Sequence, residues 1–216
     1  MISLQLEISN LISEKKYQEV ISLLNSNFRD IPKSWCYNVL GICFTEMQDN
    51  VEAIKNFKSS IYYDQKDAKP YFNLALLYSS ANEEKSLANQ FFLKANELDS
   101  KNIYYKISYA NYLSKLNSKR AANYYYQAID LRPDLPVAYI GLTEHYIGQG
   151  KFKETVDICN KYFAKYKKHH LLLNNLATAL IKLHRIKEAA IELQSSLKLN
   201  DKFYAPHLNL GICYYE

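Results

Sequence analysis

The sequence predicts an all-α fold, an α-solenoid of antiparallel helix hairpins, on two observations. First, a small residue returns about every 34 positions, with successive steps of 33, 35, 33, 34 and 34 residues; these positions are Val20, Ala53, Ala88, Ala121, Thr155 and Ala189. Second, apolar residues around each of them recur at the three- and four-residue spacing of a helix. A fixed period of this size indicates stacked supersecondary units, each of which buries its apolar face on its neighbours.

Residues 68–98 illustrate one predicted hairpin. A first helical stripe contains Tyr71, Leu74, Ala75 and Tyr78, and a second contains Leu87, Ala88, Phe91, Phe92 and Ala95. The polar stretch SSANEEK, residues 79–85, is the predicted turn between them. Prolines fall where helices are expected to end or begin, at Pro32, Pro70, Pro133, Pro136 and Pro206.

The segments YFNLALLY (71–78), YYYQAIDLRP (124–133), AYIGLTEHY (138–146) and GQGKF (148–152) resemble the consensus of the tetratricopeptide repeat. The resemblance covers the chain and implies a right-handed superhelix. It divides residues 1–203 into six repeats that start near 1, 34, 68, 102, 136 and 170, and it makes 204–216 the first helix of an incomplete seventh. Tyr109, Thr143 and Tyr162 are larger than the consensus residues, so looser or shifted packing is expected around them.

Composition argues against several classes of function. The formal net charge is +5, but only four of the 27 basic residues are arginine, the side chain best suited to bidentate phosphate recognition, so nucleic-acid binding is not expected. The four cysteines form no CxxC pair and are expected to be reduced. No apolar stretch is long enough for a membrane span, and the first residues lack the pattern of a secretory signal, so the expected location is cytoplasmic.

No catalytic, cofactor or metal site is recognisable, and the chain is expected not to be an enzyme. The GQGK segment at 148–151 lacks the first glycine and the hydroxyl residue of a phosphate-binding loop, so a tight turn is the expectation. The five histidines form neither HExxH nor a zinc-like spacing. The basic stretch KYKKHH, residues 165–170, is interpreted as a solvated loop and helix end, with contact to an acidic partner as the alternative.

The resemblance also implies where a partner binds, because the first helices of successive repeats line a concave groove in this family. The side chains implied to face a peptide are Asn38, Phe72, Asn73, Lys106, Ile140, Glu144, Asn174, Asn175, Thr178 and Asn209. The carboxylate clamp of chaperone-binding members is excluded, since Ala110 replaces its asparagine one turn after Lys106.

An asparagine ladder, in which an amide at the sixth position of each repeat grips a peptide backbone, is known from the O-linked N-acetylglucosamine transferase superhelix. Asn73, Asn175 and Asn209 match it, whereas the chain has Val39, Ile107 and Gly141 at other sixth positions. An amide both donates and accepts, which suits backbone recognition. The alternative is that these asparagines bond within the array.

These observations predict a non-catalytic scaffold that binds a protein or peptide segment in its groove. Two alternatives remain: a substrate-recruiting arm of a longer, glycosyltransferase-like enzyme, and a structural subunit of a larger assembly. The last predicted helix has no partner helix, and bare apolar ends of solenoids associate. Leu210 and Tyr214 are therefore candidates for homodimerisation or for docking a downstream domain through this end.

Overall fold

The computed structural model describes residues 2–80 and 85–215, and this part of the chain is all-α. It contains thirteen helices and no strand. The helices are α1 (Ile2–Ser13), α2 (Tyr17–Ser26), α3 (Lys33–Glu46), α4 (Asn50–Tyr63), α5 (Ala68–Ser80), α6 (Lys85–Leu98), α7 (Ile103–Lys115), α8 (Ala121–Leu131), α9 (Pro136–Gly148), α10 (Phe152–Phe163), α11 (His170–Lys182), α12 (Ile186–Leu199) and α13 (Tyr204–Tyr215). The fold class predicted from the sequence, a solenoid of helix hairpins, is confirmed. Residues 81–84 of the predicted turn lie outside the described residues.

The chain forms two compact units, residues 1–105 and 106–216. In the first unit α3 packs on α4 and α5 on α6, and α3 also contacts α5. In the second unit α9 packs against α11, and α11 packs against α13. Grouping these helices into six repeats and a half repeat remains our interpretation of their order.

The residues that set the repeat period are the best-buried small residues of the second helices. All six have a relative exposure of 0% in the structure: Val20, Ala53, Ala88, Ala121, Thr155 and Ala189. Two helices can approach closely only where the contact residues are small. The period therefore marks the places where the second helix of each hairpin touches its neighbours.

The side chain one turn after each small residue is also buried, and it is larger in all hairpins except that of Thr155 and Cys159. These are Leu24, Phe57, Phe92, Tyr125, Cys159 and Leu193, all with exposures of 2% or less. Two of these rings lie directly over a glycine: a Cβ on Gly41 of the same hairpin would sit 2.5 Å from the Phe57 ring, and one on Gly141 of the next hairpin would collide with the ring of Tyr125. Both glycines are present because an aromatic ring occupies the space that a side chain would need.

Two serines hold together the two helices of their own hairpins at equivalent positions. Ser60 donates from its hydroxyl to the backbone carbonyl of Ser34 at 2.7 Å, and Ser196 donates to the carbonyl of His170 at 2.8 Å. Both serines have a relative exposure of 0%, so these bonds satisfy hydroxyl groups that would otherwise be costly to bury. Each bond joins the end of a second helix to the start of the first helix of the same hairpin.

The larger residues at Tyr109, Thr143 and Tyr162 are buried, with exposures of 0%, 0% and 4%. Thr143 donates to the carbonyl of Tyr139 at 2.8 Å, and the Tyr109 hydroxyl accepts from the Arg120 guanidinium at 3.4 Å. The Tyr162 hydroxyl donates to the backbone carbonyl of Asp134 at 3.4 Å, so all three hydroxyls are hydrogen-bonded. Looser or shifted packing around these residues stays a prediction.

Five of the described turns contain a left-handed residue, which is a non-glycine residue in four of them. Lys15, Gln48, Asn117 and His184 have φ values of 59°, 63°, 53° and 57° between the two helices of a hairpin, and Gly150 has 71° at the same place. Only glycine adopts this backbone without strain. Gly150 belongs to the GQGK segment, so the structure places that segment in the tight turn expected from the sequence.

All four cysteines are buried: Cys36 and Cys43 in α3, Cys159 in α10 and Cys213 in α13. Among the described helices, none combines the length and the apolar character that a membrane crossing requires.

Candidate functional site

The first-helix face of the first unit carries a bridge between two amides. Asn73 of α5 donates from Nδ2 to Oδ1 of Asn38 in α3 at 3.0 Å. Asn38 has an exposure of 6%, so its oxygen depends on this donor. The bridge fixes α5 beside α3. The bridge uses only one N–H of the Asn73 side chain, so the second N–H and the side-chain oxygen Oδ1 take no part in it.

A cavity of about 270 Å³ adjoins this bridge. Its lining is mixed: Ile42, Leu76, Leu77 and Phe57 are apolar, and Thr45, Glu46, Asn73 and Ser80 are polar. Leu76 is 43% exposed, so the cavity opens to solvent beside it. A cavity that combines apolar walls with an amide can hold an apolar side chain and orient the adjacent peptide group.

Phe72, a predicted groove residue, is engaged in aromatic packing. Its ring stacks on Tyr105 with centroids 4.4 Å apart and meets Phe92 edge-on at 6.1 Å. The side chain is half-buried in this cluster, so only part of the ring is available to a ligand.

The second unit repeats the amide bridge. Asn209 of α13 donates from Nδ2 to Oδ1 of Asn174 in α11 at 3.0 Å. The two partners are 35 residues apart, as Asn38 and Asn73 are, and they occupy the same two positions of the repeat. Asn209 also donates to the hydroxyl of Thr178 at 3.3 Å, and Thr178 stands where the first unit has Ile42.

A second polar contact joins α11 to α9. Asn175, 7% exposed, donates to the hydroxyl of Thr143 at 3.0 Å. The neighbouring Glu144 is an exposed residue. The protein around its carboxyl group removes part of the water and so raises the pKa of the group, and a hydrogen bond from Asn175 opposes that rise. Ile140, also predicted to face a ligand, is half-buried one turn earlier on α9. This face therefore combines amides, hydroxyls and a carboxylate.

Gly141 stands where a ladder asparagine would have to be. No side chain fits there because the Tyr125 ring fills the space, and the Tyr125 hydroxyl donates to Oδ1 of Asn111 at 2.6 Å. Burial raises the pKa of that phenol well above its ordinary value. The interruption of the asparagine series at Gly141 thus has a packing cause.

Lys106 is buried although it was predicted to face a ligand. Its exposure is 7%, and its ammonium donates to Oε1 of Gln127 in α8 at 3.1 Å. The charge is therefore directed toward the second helix of its own hairpin.

The three ladder candidates all use Nδ2 within the chain, toward Asn38, Thr143 and Asn174. Sequence reasoning placed these asparagines on first helices and missed their partners. A signal was present: Asn38 and Asn174 occur 35 residues before Asn73 and Asn209, one residue longer than the repeat.

At the last helix, Leu210 and Tyr214 differ in accessibility. Leu210 is 9% exposed, because α13 packs on α11 and α12, whereas Tyr214 is 74% exposed. Association through this helix stays a prediction, and Leu210 offers it little accessible surface.

The basic stretch at 165–170 has local roles. His169 caps α11, its Nδ1 accepting from the backbone N–H of Leu171 at 3.3 Å, and Lys168 pairs with Glu192 at 3.1 Å. Among the described residues, no group of three or more His, Cys, Asp and Glu side chains is arranged to hold a metal ion.

No protein-family model and no curated protein matches the amino-acid sequence. Solved structures do resemble the chain. A Pseudomonas aeruginosa protein, PilF, superposes with a TM-score of 0.72 at 11% identity over 96% of this chain and 95% of its own. YrrB, a tetratricopeptide-repeat protein with an unusual peptide-binding site, gives 0.64 at 15% identity over 84% and 94%. A tetratricopeptide-repeat protein from Parabacteroides merdae gives 0.61 at 15% identity over 98% and 83%.

Proposed function

We propose that this chain, whose fold is that of the tetratricopeptide-repeat proteins, is a non-catalytic scaffold that binds an extended segment of a partner protein on its first-helix faces. The observation that carries the proposal is the apolar cavity of the first unit, with the Asn73 amide at its edge. Its apolar walls would accept one apolar side chain of the segment, and the amide would hold the peptide group next to it.

The second unit would contribute polar contacts to the same kind of ligand. Asn174, Thr178 and Asn209 form one connected group of amides and a hydroxyl, and such groups can exchange one internal bond for one bond to a peptide backbone. An interaction of this type is expected to have a dissociation constant on the order of a micromolar.

The experiment begins with peptides selected on the purified chain from a random library. The variant Leu76→Glu places a charge at the mouth of the cavity, and about tenfold weaker binding is expected, since desolvating an unpaired carboxylate is costly. The matched control is Leu93→Glu on α6, which makes the same change at a leucine of similar exposure that does not line the cavity. Equal binding by wild type and Leu76→Glu would exclude the cavity as the site.

The alternative predicted from the sequence, a substrate-recruiting arm of a glycosyltransferase-like enzyme, would use the same faces. No contact among the described residues favours it over the scaffold.

A further inference from the structure

A second cavity lies in the second unit, away from the first-helix face. Its volume is about 490 Å³, and α8, α9 and the end of α10 enclose it. Its walls include Tyr126, Ile129, Tyr139 and Tyr166, and Lys161 and Lys165 stand at its rim. None of these residues occupies a first-helix position predicted to face the groove.

Tyrosine side chains and lysine side chains are the residues with hydrogen-bond donors that line this cavity. Burial raises the pKa of the Tyr139 hydroxyl, so that phenol remains a neutral donor. The hydroxyls of Tyr126 and Tyr146 are 3.1 Å apart and share one hydrogen bond, which holds the Tyr126 ring in place. The three tyrosine rings supply flat apolar area to an apolar or aromatic guest.

The charge at the rim selects the sign of the ligand. Lys161 and Lys165 are exposed; Lys161 is in the last turn of α10, and Lys165 is in the turn that follows this helix. Neither of them takes part in an ion pair among the residues that the structure describes. Asp130 acts electrostatically on Tyr139 but does not line the cavity. Tyrosine rings alone could hold a cation, but two lysines at the rim repel one.

We propose that this cavity binds a partner peptide in which an aromatic or large aliphatic residue is followed by acidic residues. The apolar side chain enters between the tyrosines, and the carboxylates reach Lys161 and Lys165 at the rim. This is a second binding site, independent of the groove that the proposed function uses, so either can fail without the other.

The test is an NMR titration of the isotopically labelled chain with acetyl-Phe-Glu-Glu-amide. Saturable shifts are expected at the backbone amides of Tyr139, Ala164 and Tyr166, with a dissociation constant on the order of a millimolar. Acetyl-Phe-Gln-Gln-amide should bind about fivefold more weakly, and acetyl-Phe-Lys-Lys-amide more weakly still. Raising the salt to about 0.5 M should remove most of the advantage of the acidic peptide.

Variants separate the two halves of the site. Lys161→Gln with Lys165→Gln should reduce binding of the acidic peptide to that of the glutamine peptide and leave the latter unchanged. Lys187→Gln with Lys198→Gln on α12 removes the same net charge from exposed lysines elsewhere and should change neither. Ala164→Phe fills the cavity from an exposed position and should abolish both.

Three results would overturn the proposal: no saturable shifts at the cavity, equal binding of the acidic and lysine peptides, or equal effects of the two double variants. A Leu76→Glu chain that still binds acetyl-Phe-Glu-Glu-amide at this cavity, but loses its library-selected peptides, supports both sites separately.

Discussion

In the first unit the amide bridge from Asn73 to Asn38 borders an apolar cavity, whereas in the second unit the equivalent bridge from Asn209 to Asn174 continues into the hydroxyl of Thr178. The bridges share the same two repeat positions. What differs is the residue one turn further along the acceptor helix, Ile42 in one unit and Thr178 in the other. The bridge is thus a common device for holding neighbouring first helices, and its surroundings determine which ligand groups each face can accept.

The largest expected effect tests whether the two units are also alike in their stability. Phe57→Ala and Tyr125→Ala each remove a buried ring that lies over a glycine, and each should lower the free energy of unfolding by about 3–5 kcal/mol. The single tryptophan, Trp35, reports on the first unit by fluorescence, and circular dichroism reports on both. In urea, Phe57→Ala should shift the Trp35 transition more than Tyr125→Ala does. Equal shifts would mean that the two units unfold together and do not differ in stability.

The glycines beneath these rings give the next effect. Gly41→Ala and Gly141→Ala place a methyl group against a buried ring, and the strain should outweigh the helix propensity gained, with a net loss of about 1–2 kcal/mol. Gly211→Ala in α13 is the control. It meets no atom within 4 Å and should stabilise the chain by up to about 1 kcal/mol. Thermal melts would check the signs, and stabilisation by Gly41→Ala would show that the Phe57 ring can move away.

The period, the hairpins and the buried small residues could be read from the sequence because they depend on local spacing. The bridges could not, because which side chains of successive first helices meet depends on the angle between those helices. The same holds for Gly141, whose neighbour Tyr125 is in the preceding hairpin. Phe72 and Lys106 lie on the predicted helices, but burial against Tyr105 and Gln127 turns them into packing residues, and tertiary contact rather than register decided that.

The bridges themselves should differ in strength between the units. Asn73→Ala leaves the buried oxygen of Asn38 without its donor and should cost about 1–2 kcal/mol. Asn209→Ala should cost less, because Asn174 is partly exposed and water can replace the lost donor. A double-mutant cycle with Asn38→Ala isolates the bridge in the first unit. A coupling energy indistinguishable from zero would mean that the Asn73–Asn38 hydrogen bond does not stabilise the fold.

The smallest expected effect concerns acid, to which the units should respond differently because all five histidines lie in the second. Burial, and then Lys151, lowers the pKa of His145 below 6.5; Nδ1 lies 2.9 Å from the Ser114 hydroxyl, and Nε2 is buried without a partner among the described atoms. The unfolded chain thus binds the proton more readily. The stability that the neutral His145 imidazole contributes is therefore fully present above about pH 6.5. Below that pH it falls by at most about 1.4 kcal/mol per pH unit.

Urea unfolding at pH 7.5 and 5.5 would measure this effect. His145→Gln should lose less stability between the two pH values than wild type does, because it lacks the imidazole whose pKa is lowered by folding. His207→Gln, at an exposed histidine, should behave as wild type. If all three chains lose the same stability, His145 is not the acid-sensitive group of the second unit.

The buried thiols allow the opening of each unit to be timed chemically. Burial raises the pKa of Cys36 and of Cys43 to about 11, and that of Cys159 to about 12, so almost none of the reactive thiolate exists in the closed protein at neutral pH. An alkylating reagent can therefore label these sulfurs only during excursions that expose them. Because α3 and α10 belong to different units, peptide mass mapping of the adducts would give the opening rate of each unit from one sample, with no probe added to the chain.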